Sequence, residues 1–475
     1  MKIRTRFAPS PTGFMHIGNL RTALYSFLYS KHSGGEFILR IEDTDRERFV
    51  PGAVEVIYNT LKTAGITYDE GPDKGEYGPY VQSERKAIYA EYAHKLVELG
   101  GAYYCFCDKE RLESLTDEQG NRRYDGHCAN IPLAEAKARI ASGEPYVVRQ
   151  RMPKSGVSEY DDLVFGHIAV NCEELEDNIL LKSDGMPTYN FANVVDDHLM
   201  KITHVVRGTE YLSSTPKYNL IYDAFGWERP QYIHLPPIMK DAQHKLSKRY
   251  GDANFDDFTN KGYLPEAIVN YIALLGWSPK DNTEIMNMDD LVRLFTVEGI
   301  NKSSSIFDET KMRWLNGEYI KRMTPEQFAA VAKPYFDASK VSGKYDYLKL
   351  SELLIPRVEI LSEIPDHVNF LEEFGEYDTE LFCHKKMKTD KALAKTVLGE
   401  CITLCREIAE WDNQSLHDGL NALAERMQLK KGQVLWPFRI AVTGRAATPG
   451  GASEMADLLG REETLRRLEF SYKLL

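Results

Sequence analysis

Residues 6–24 read "RFAPSPTGFMHIGNLRTAL", a turn with two prolines, two glycines and a histidine set between a strand-like run and a helix. Gly13 and Gly18 lack Cβ atoms, so a bulky ligand can approach the backbone there. A helix beginning near Ile17 offers unpaired N–H groups and a positive dipole end to an anion, and His16 adds an imidazole donor at the same place. The chemistry that suits this set is binding of a nucleotide phosphate. Neither G-x-G-x-x-G nor G-x-x-x-x-G-K-[ST] occurs in the turn, which disfavours dinucleotide binding and a Walker-type loop. A proline-stiffened loop with an incidental histidine is the competing account of the turn taken alone.

Three charged residues fall at the carboxyl ends of predicted strands: Arg6, Glu42 in "RIED" and Arg207 in "HVVR". In an open parallel sheet those ends converge on the ligand-binding edge. Two guanidiniums and one carboxylate would then face one cleft. A carboxylate suits a bidentate arginine and an ammonium suits a carboxylate, so an acidic amino acid matches the set. Each of the three, taken singly, reads as a solvated surface charge.

The elements that must hold these residues follow from periodicity. Ile3, Thr5 and Phe7 alternate with Lys2, Arg4 and Arg6, the period of a strand. Leu20, Leu24, Phe27 and Leu28 form a helical stripe that stops before Gly34-Gly35, and "EFILRIED" reads as a second strand. Strand, helix and strand in succession make a parallel βαβ unit. Helical patterns follow around residues 52–65 and 83–100. Residues 103–185 hold cysteines, turn signals and short β-like pieces such as "YVVRQRM", as an insertion with its own small core would. The α/β pattern returns with "THVVRGTEYL" and a helix near 214–226, and beyond residue 256 helices dominate. There Pro265 sits in a first turn, Ile268, Tyr271, Ile272 and Leu275 share a face, and Gly276 ends the helix.

The chain has 475 residues, too many for one core. No apolar run reaches the roughly 18 residues of a membrane helix, and the N-terminus lacks a signal-peptide block, so the cytoplasm is the expected compartment. The net charge of −12 argues against a nucleic-acid coat protein but leaves room for a local basic face. Residues 430–475 carry 8 Lys+Arg against 5 Asp+Glu, which equally describes a mildly basic helical surface. Seven scattered cysteines do not read as a disulfide framework.

"HIGN" at 16–19 resembles the HIGH motif of class I aminoacyl-tRNA synthetases, and "KLSKR" at 245–249 resembles their KMSKS loop. The wider opening, "RIEDTDRER" at 40–48, "DGMPTYNFANVVDDH" at 184–198, "VVRGTEYLSSTPKY" at 205–218 and "GQVLWPFRIAVTGRAATPGG" in the tail are similar to the glutamyl branch of that family. Asn19 replaces the second histidine of HIGH, and Leu246 and Arg249 alter KMSKS while both lysines and the serine stay. Glutaminyl members have Pro-Glu-Pro-Asn where this chain has Pro9-Ser10-Pro11-Thr12, and their C-terminal region is a β-barrel. A shorter tRNA-modifying paralogue lacks the counterpart of residues 256–475. A catalytically silent RNA-binding relative would not need intact HIGN and KLSKR motifs.

The resemblance implies an α/β fold: a Rossmann-like catalytic domain from 1–103 and 186–255, an acceptor-stem-binding insertion at 104–185, a helical stem-contact domain at 256–322 and a helical anticodon-binding region at 323–475, split near 375. It implies ATP-dependent activation of L-glutamate, with Mg²⁺, and transfer to the 3'-terminal adenosine of tRNA(Glu) by a monomer. Arg6, Ser10, Glu42, Tyr189, Asn193 and Arg207 would contact glutamate, Arg207 taking the γ-carboxylate. Pro9, Gly13, His16, Gly18 and Lys248 would meet ATP, and His16, Gly18, Lys245, Ser247 and Lys248 would act in catalysis. No nucleophile elbow is present, and none is needed. Whether tRNA(Gln) is also charged stays open; "LIPRVEIL" at 354–361, with Arg357, is a candidate reader of the anticodon, or a plain helix surface.

Cys105, Cys107 and Cys128 fall in the part that resembles the acceptor-binding insertion, which carries zinc in some members. Asn130 stands where zinc-binding relatives commonly have a histidine, Tyr124 matches the pattern of the paralogue, and His127 is a third candidate. Four N or S ligands are the preference of structural zinc, and three reduced thiols without metal are the alternative.

Overall fold

The alternating N-terminal run forms strand β1 (Arg4–Phe7), and the stripe from Leu20 forms helix α1 (Ile17–His32), leading to strand β2 (Glu36–Leu39). This computed structural model describes residues 2–45, 48–116, 120, 123–247 and 253–475. β1 and β2 are parallel, with Arg6 opposite Ile38. Leu20, Leu24 and Leu28 of α1 are fully buried, each a contribution of about 1.5–3 kcal/mol of apolar transfer. Charge alternation along β1 does not mark a wet face, because Arg4 and Arg6 are both buried. Arg4 donates to Glu70 at 2.9 Å, and Arg6 to Asp197 at 3.1 Å, so each guanidinium enters the core already paired.

The next strands are β3 (Ala102–Cys105), β4 (Val147–Gln150), β5 (Val157–Asp162), β6 (Gly166–Asn171) and β7 (Ile179–Leu181). They are followed by helix α2 (Tyr189–Leu199), strand β8 (His204–Gly208), helix α3 (Thr215–Phe225) and strand β9 (Gln231–Leu235). β3, β4 and β7 form an antiparallel sheet. β8 and β9 are parallel, as a strand–helix–strand crossover requires. The β5–β6 hairpin joins the same sheet, with Asp162 opposite Tyr232 of β9, giving the order β6-β5-β9-β8. Thr203 donates its N–H to Arg4 O at 3.0 Å, tying the entrance of β8 to β1.

The chain divides into two compact units, residues 1–260 with 265–309, and residues 261–264 with 310–475. In the first, the helix Pro265–Leu274 buries Ile268, Tyr271 and Ile272, the face expected from its spacing. The second is helical. Its helix Pro325–Asp337 starts on a capping box of Thr324 and Gln327 and buries Phe328 and Phe336. Helices Lys391–Glu407, Asn413–Arg426, Lys431–Thr443 and Arg461–Leu474 bury Val397, Leu398, Leu416, Leu420, Phe438 and Leu468.

Candidate active site

A cleft of about 830 Å³ opens at the carboxyl ends of β1 and β8, lined by Arg6, Pro9, Ser10, Glu42, Tyr189 and Arg207 among others. The charges predicted to converge therefore do so, although Glu42 lies three residues past the end of β2. Arg6 also donates to Val206 O at 3.3 Å, the residue next to Arg207.

The two guanidiniums are not equivalent. Arg6 is paired with Asp197 through Nε and Nη2. Arg207 donates Nε–H to His234 Nε2 at 3.2 Å and Nη2–H to Thr215 Oγ1, while Nη1 has no partner among the described residues. Its charge lies about 5 Å from the ring centres of Tyr211, Tyr218 and Tyr232, a cation–π setting worth roughly 0.5–2 kcal/mol per contact. No described carboxylate forms an ion pair with it. Arg207 is thus a buried cation of the cleft with unspent charge and an unspent donor.

Glu42 accepts from Arg40 at 2.9 Å and from Gln82 at 3.4 Å, all on Oε1; Oε2 accepts from no described residue. Burial pushes its carboxyl above the usual range, against the pull of Arg40 and Arg6. Burial likewise opposes ionisation of Asp197, but Arg6 and Arg40 outweigh it and hold that carboxyl below its usual value. Tyr189 opens α2 and faces the cleft. Asn193 is buried one turn later, donating to Tyr189 O at 2.6 Å, and does not line the cleft.

His16 is the N-cap of α1. Its Nδ1 accepts from Gly18 N at 2.9 Å, so Nε2 carries the proton and donates to Leu246 O at 3.1 Å. The opening turn and the KLSKR loop therefore touch through this ring. Burial lowers the His16 pKa, which keeps the ring neutral. A Cβ on Gly18 would sit 3.1 Å from His16 Nδ1, so that glycine makes room for the imidazole, while Gly13, at φ +128°, answers to backbone geometry. One expectation fails: the first-turn N–H groups are not free. Ile17 N–H goes to Ala253 O and Asn19 N–H to His16 O, both at 2.9 Å, because a side-chain cap and a neighbouring strand-like segment satisfy them. Lys245 is exposed, Ser247 is half-buried, and Lys248 lies outside the described residues.

In the insertion, the sulfurs of Cys105, Cys107 and Cys128 lie within 4.8 Å of one another. Tyr124 Oη is 3.3 Å from Cys105 Sγ and 3.6 Å from Cys107 Sγ, while His127 and Asn130 are exposed. Three sulfurs gathered this closely are three of the four N or S ligands that structural zinc prefers, with the Tyr124 phenol oxygen beside two of them. Burial pushes the Cys107 thiol up to about 12.

Sequence reasoning missed the residues that hold the pocket: Arg40, Asp197, His234 and Asp162. A paired acid in an apolar helix, "VVDDH", and a lone histidine inside the strand "QYIHL" were the signals. In the second unit, Arg357 is exposed, donates to Leu353 O at 2.7 Å and lines a shallow hollow with Arg313, Lys321 and His367.

Residues 2–314 match the family described as tRNA synthetases class I (E and Q), catalytic domain, and residues 327–471 match an anticodon binding domain. The glutamate–tRNA ligase of Clostridium kluyveri is 55% identical over 479 residues, covering 100% of this chain and 98% of its own. That of Clostridium novyi is 54% identical over 471 residues, covering 98% and 97%. A crystal structure of a glutamate tRNA ligase from Elizabethkingia meningosepticum, in complex with its amino acid, superposes with a TM-score of 0.91 at 34% identity, covering 100% of both chains. The glutamate-tRNA synthetase of Elizabethkingia anophelis gives 0.89 at 35%, again over 100% of both chains.

Proposed function

The chain belongs to the class I tRNA synthetases of the E and Q type, and from that membership and the charges of its cleft we infer that it is a glutamate–tRNA ligase. It uses ATP to join L-glutamate to tRNA, releasing AMP and pyrophosphate. The observation that carries the choice of amino acid is the cleft itself: an unspent guanidinium edge on Arg207 and an unspent carboxylate oxygen on Glu42.

In this scheme Glu42 Oε2 receives the α-ammonium, Arg207 the γ-carboxylate, and Ser10, Tyr189 and Arg6 complete the pocket, with Asn193 fixing Tyr189 from behind. The α-carboxylate attacks the α-phosphate of ATP in line and pyrophosphate leaves; no covalent enzyme intermediate is required. Catalysis is then positioning and stabilisation of charge on phosphate oxygens. ATP, entering with Mg²⁺, lies along Pro9, Gly13 and Gly18. The Nε2–H of His16 is now spent on Leu246 O; displacement of that carbonyl frees it for a phosphate oxygen. Lys245, Ser247 and Lys248 approach from the loop side. The adenylate then passes its glutamyl group to the terminal adenosine of tRNA(Glu).

The insertion at 104–185 would grip the acceptor stem, with 256–322 on the stem below it and 323–475, divided near 375, on the anticodon. We assign structural zinc to Cys105, Cys107, Cys128 and Tyr124, where it would fix the insertion and leave the chemistry to the cleft. We expect a cytoplasmic monomer; no helix of the described residues is long and apolar enough to cross a membrane. Charging of tRNA(Gln) would follow if Arg357 and its neighbours tolerate both anticodons. Pyrophosphate exchange with glutamate and ATP, run with and without tRNA, tests the activity. Charging assays on tRNA(Glu) and tRNA(Gln) test the range. Activation of glutamine in preference to glutamate would overturn the assignment.

A further inference from the structure

Arg207 is held by a chain of groups that never reaches the cleft. Its Nε–H points to His234 Nε2. A neutral imidazole has one N–H and one lone pair, so Nε2 accepts only if Nδ1 carries the proton. Nδ1 lies 2.6 Å from Asp162 Oδ2, which also accepts the backbone N–H of His234 at 3.1 Å. The other oxygen, Oδ1, accepts the N–H of Val164 at 2.9 Å and of Phe165 at 2.8 Å. Four N–H donors converge on this one carboxylate, which leaves an ionised, acceptor-only group as the side chain that satisfies them all. The His234 and Asp162 side chains are 0% exposed, and neither residue lines the cleft.

We propose that Asp162 and His234 are positioning residues for amino-acid selection: together they fix the imidazole tautomer that anchors Arg207 by Nε and aims its free edge at the substrate side chain. The proposal rests on Arg207 as the γ-carboxylate reader. Thr215 is the second anchor. Its hydroxyl donates to Tyr211 O at 2.8 Å and so presents a lone pair to Arg207 Nη2. With Nε and Nη2 both engaged, Nη1 is the nitrogen left for the ligand. A fixed guanidinium presents N–H groups and a positive charge; a carboxylate answers both, whereas a carboxamide can turn only its C=O to Nη1 and leaves the charge unmatched. A guanidinium free to rotate could turn away and admit glutamine. Discrimination therefore depends on rigidity supplied from behind. Burial also holds the His234 pKa below its ordinary value, in keeping with a neutral ring.

The test uses the full-length enzyme with tRNA and ATP. His234→Phe keeps a ring and removes the acceptor. The expected result is at least a ~10-fold rise in KM for glutamate, KM for ATP within ~2-fold, and tighter inhibition by glutamine relative to glutamate. His234→Gln, which can offer an amide oxygen to Arg207, should recover part of the loss. Unchanged glutamate KM in the folded variants, or a parallel rise for ATP, would overturn the proposal. Should both variants fail to fold, ¹⁵N-histidine spectra of the unaltered protein decide, with the His234 ring assigned among the 12 histidines by its contacts with Tyr160 and Tyr232: a neutral ring protonated on Nδ1 supports the idea, and one protonated on Nε2 sinks it. Arg207→Gln in the same assay separates the two levels. If it impairs glutamate binding and His234→Phe does not, only the positioning role falls; if it has no effect, the γ-carboxylate assignment falls as well.

Discussion

Replacing Arg207 by glutamine is the sharpest perturbation of the proposed glutamate pocket. Arg207 is 5% exposed, pairs with no described acid, and lines the cleft proposed to take a carboxylate. Glutamine preserves much of the chain and a donor but removes the charge. Leaving a carboxylate in a buried site without its cation costs about 3–5 kcal/mol, and each ~1.4 kcal/mol is tenfold. The open cleft lets water reach the abandoned carboxylate, which places the expected loss at the lower end, about 3 kcal/mol or ~10²-fold in kcat/KM. The measurement is tRNA-dependent pyrophosphate exchange over a range of glutamate concentrations, with KM for ATP as the control. Charge removal orphans no acid of the fold but gives up two hydrogen bonds to buried groups and three cation–π contacts, so the thermal midpoint should fall, and the kinetics are compared on folded protein below it. A kcat/KM for glutamate within threefold of the unaltered enzyme would refute the electrostatic account of the pocket.

Lys248→Ala should slow single-turnover adenylate formation at least ~10-fold while KM for ATP changes little, the signature of charge stabilised only in the transition state; an unchanged rate would remove the lysine from the chemistry. Because burial raises the Glu42 pKa, the ammonium partner is lost on protonation as pH falls through a value above the ordinary carboxylate range. KM for glutamate should therefore climb as pH drops from about 7 toward 5, and Glu42→Gln should raise KM at neutral pH and flatten that climb; a variant with the original profile would contradict the role. Protein purified without chelator should carry one zinc per chain, and Cys107→Ala should lose it together with insertion stability, as metal analysis and limited proteolysis would show; metal-free protein of full activity and stability would leave three plain thiols.

The strand, turn and helix that frame the candidate site were largely legible in the sequence because they are local: a strand alternates, a helix carries a stripe, and the turn between them is marked by glycine and proline. Arg6, Glu42 and Arg207 reach one cleft because parallel strands end together, while Tyr189, at the start of α2, was given by the family resemblance alone. What escaped is everything that depends on pairing across long separations. Asp197 neutralises Arg6 from 191 residues away, and Asp162 meets His234 across 72. Nothing in the local pattern around either acid names its partner. The same holds for the first turn of α1, where a free anion site was expected and the His16 ring and Ala253 carbonyl had already taken the N–H groups. Helix propensity predicts where a helix begins; it does not say which side chain folds back upon it.

The β5–β6 hairpin hydrogen-bonds to β9 inside the catalytic sheet. A graft engineer who swapped residues 104–185 as a cassette, on the proposal that they meet the acceptor end, would therefore also be exchanging strands of the sheet that carries β8 and Arg207. Chimeras should be cut so that the hairpin travels with its host sheet, and those cut otherwise should lose fidelity toward the small substrate before they lose grip on the large one.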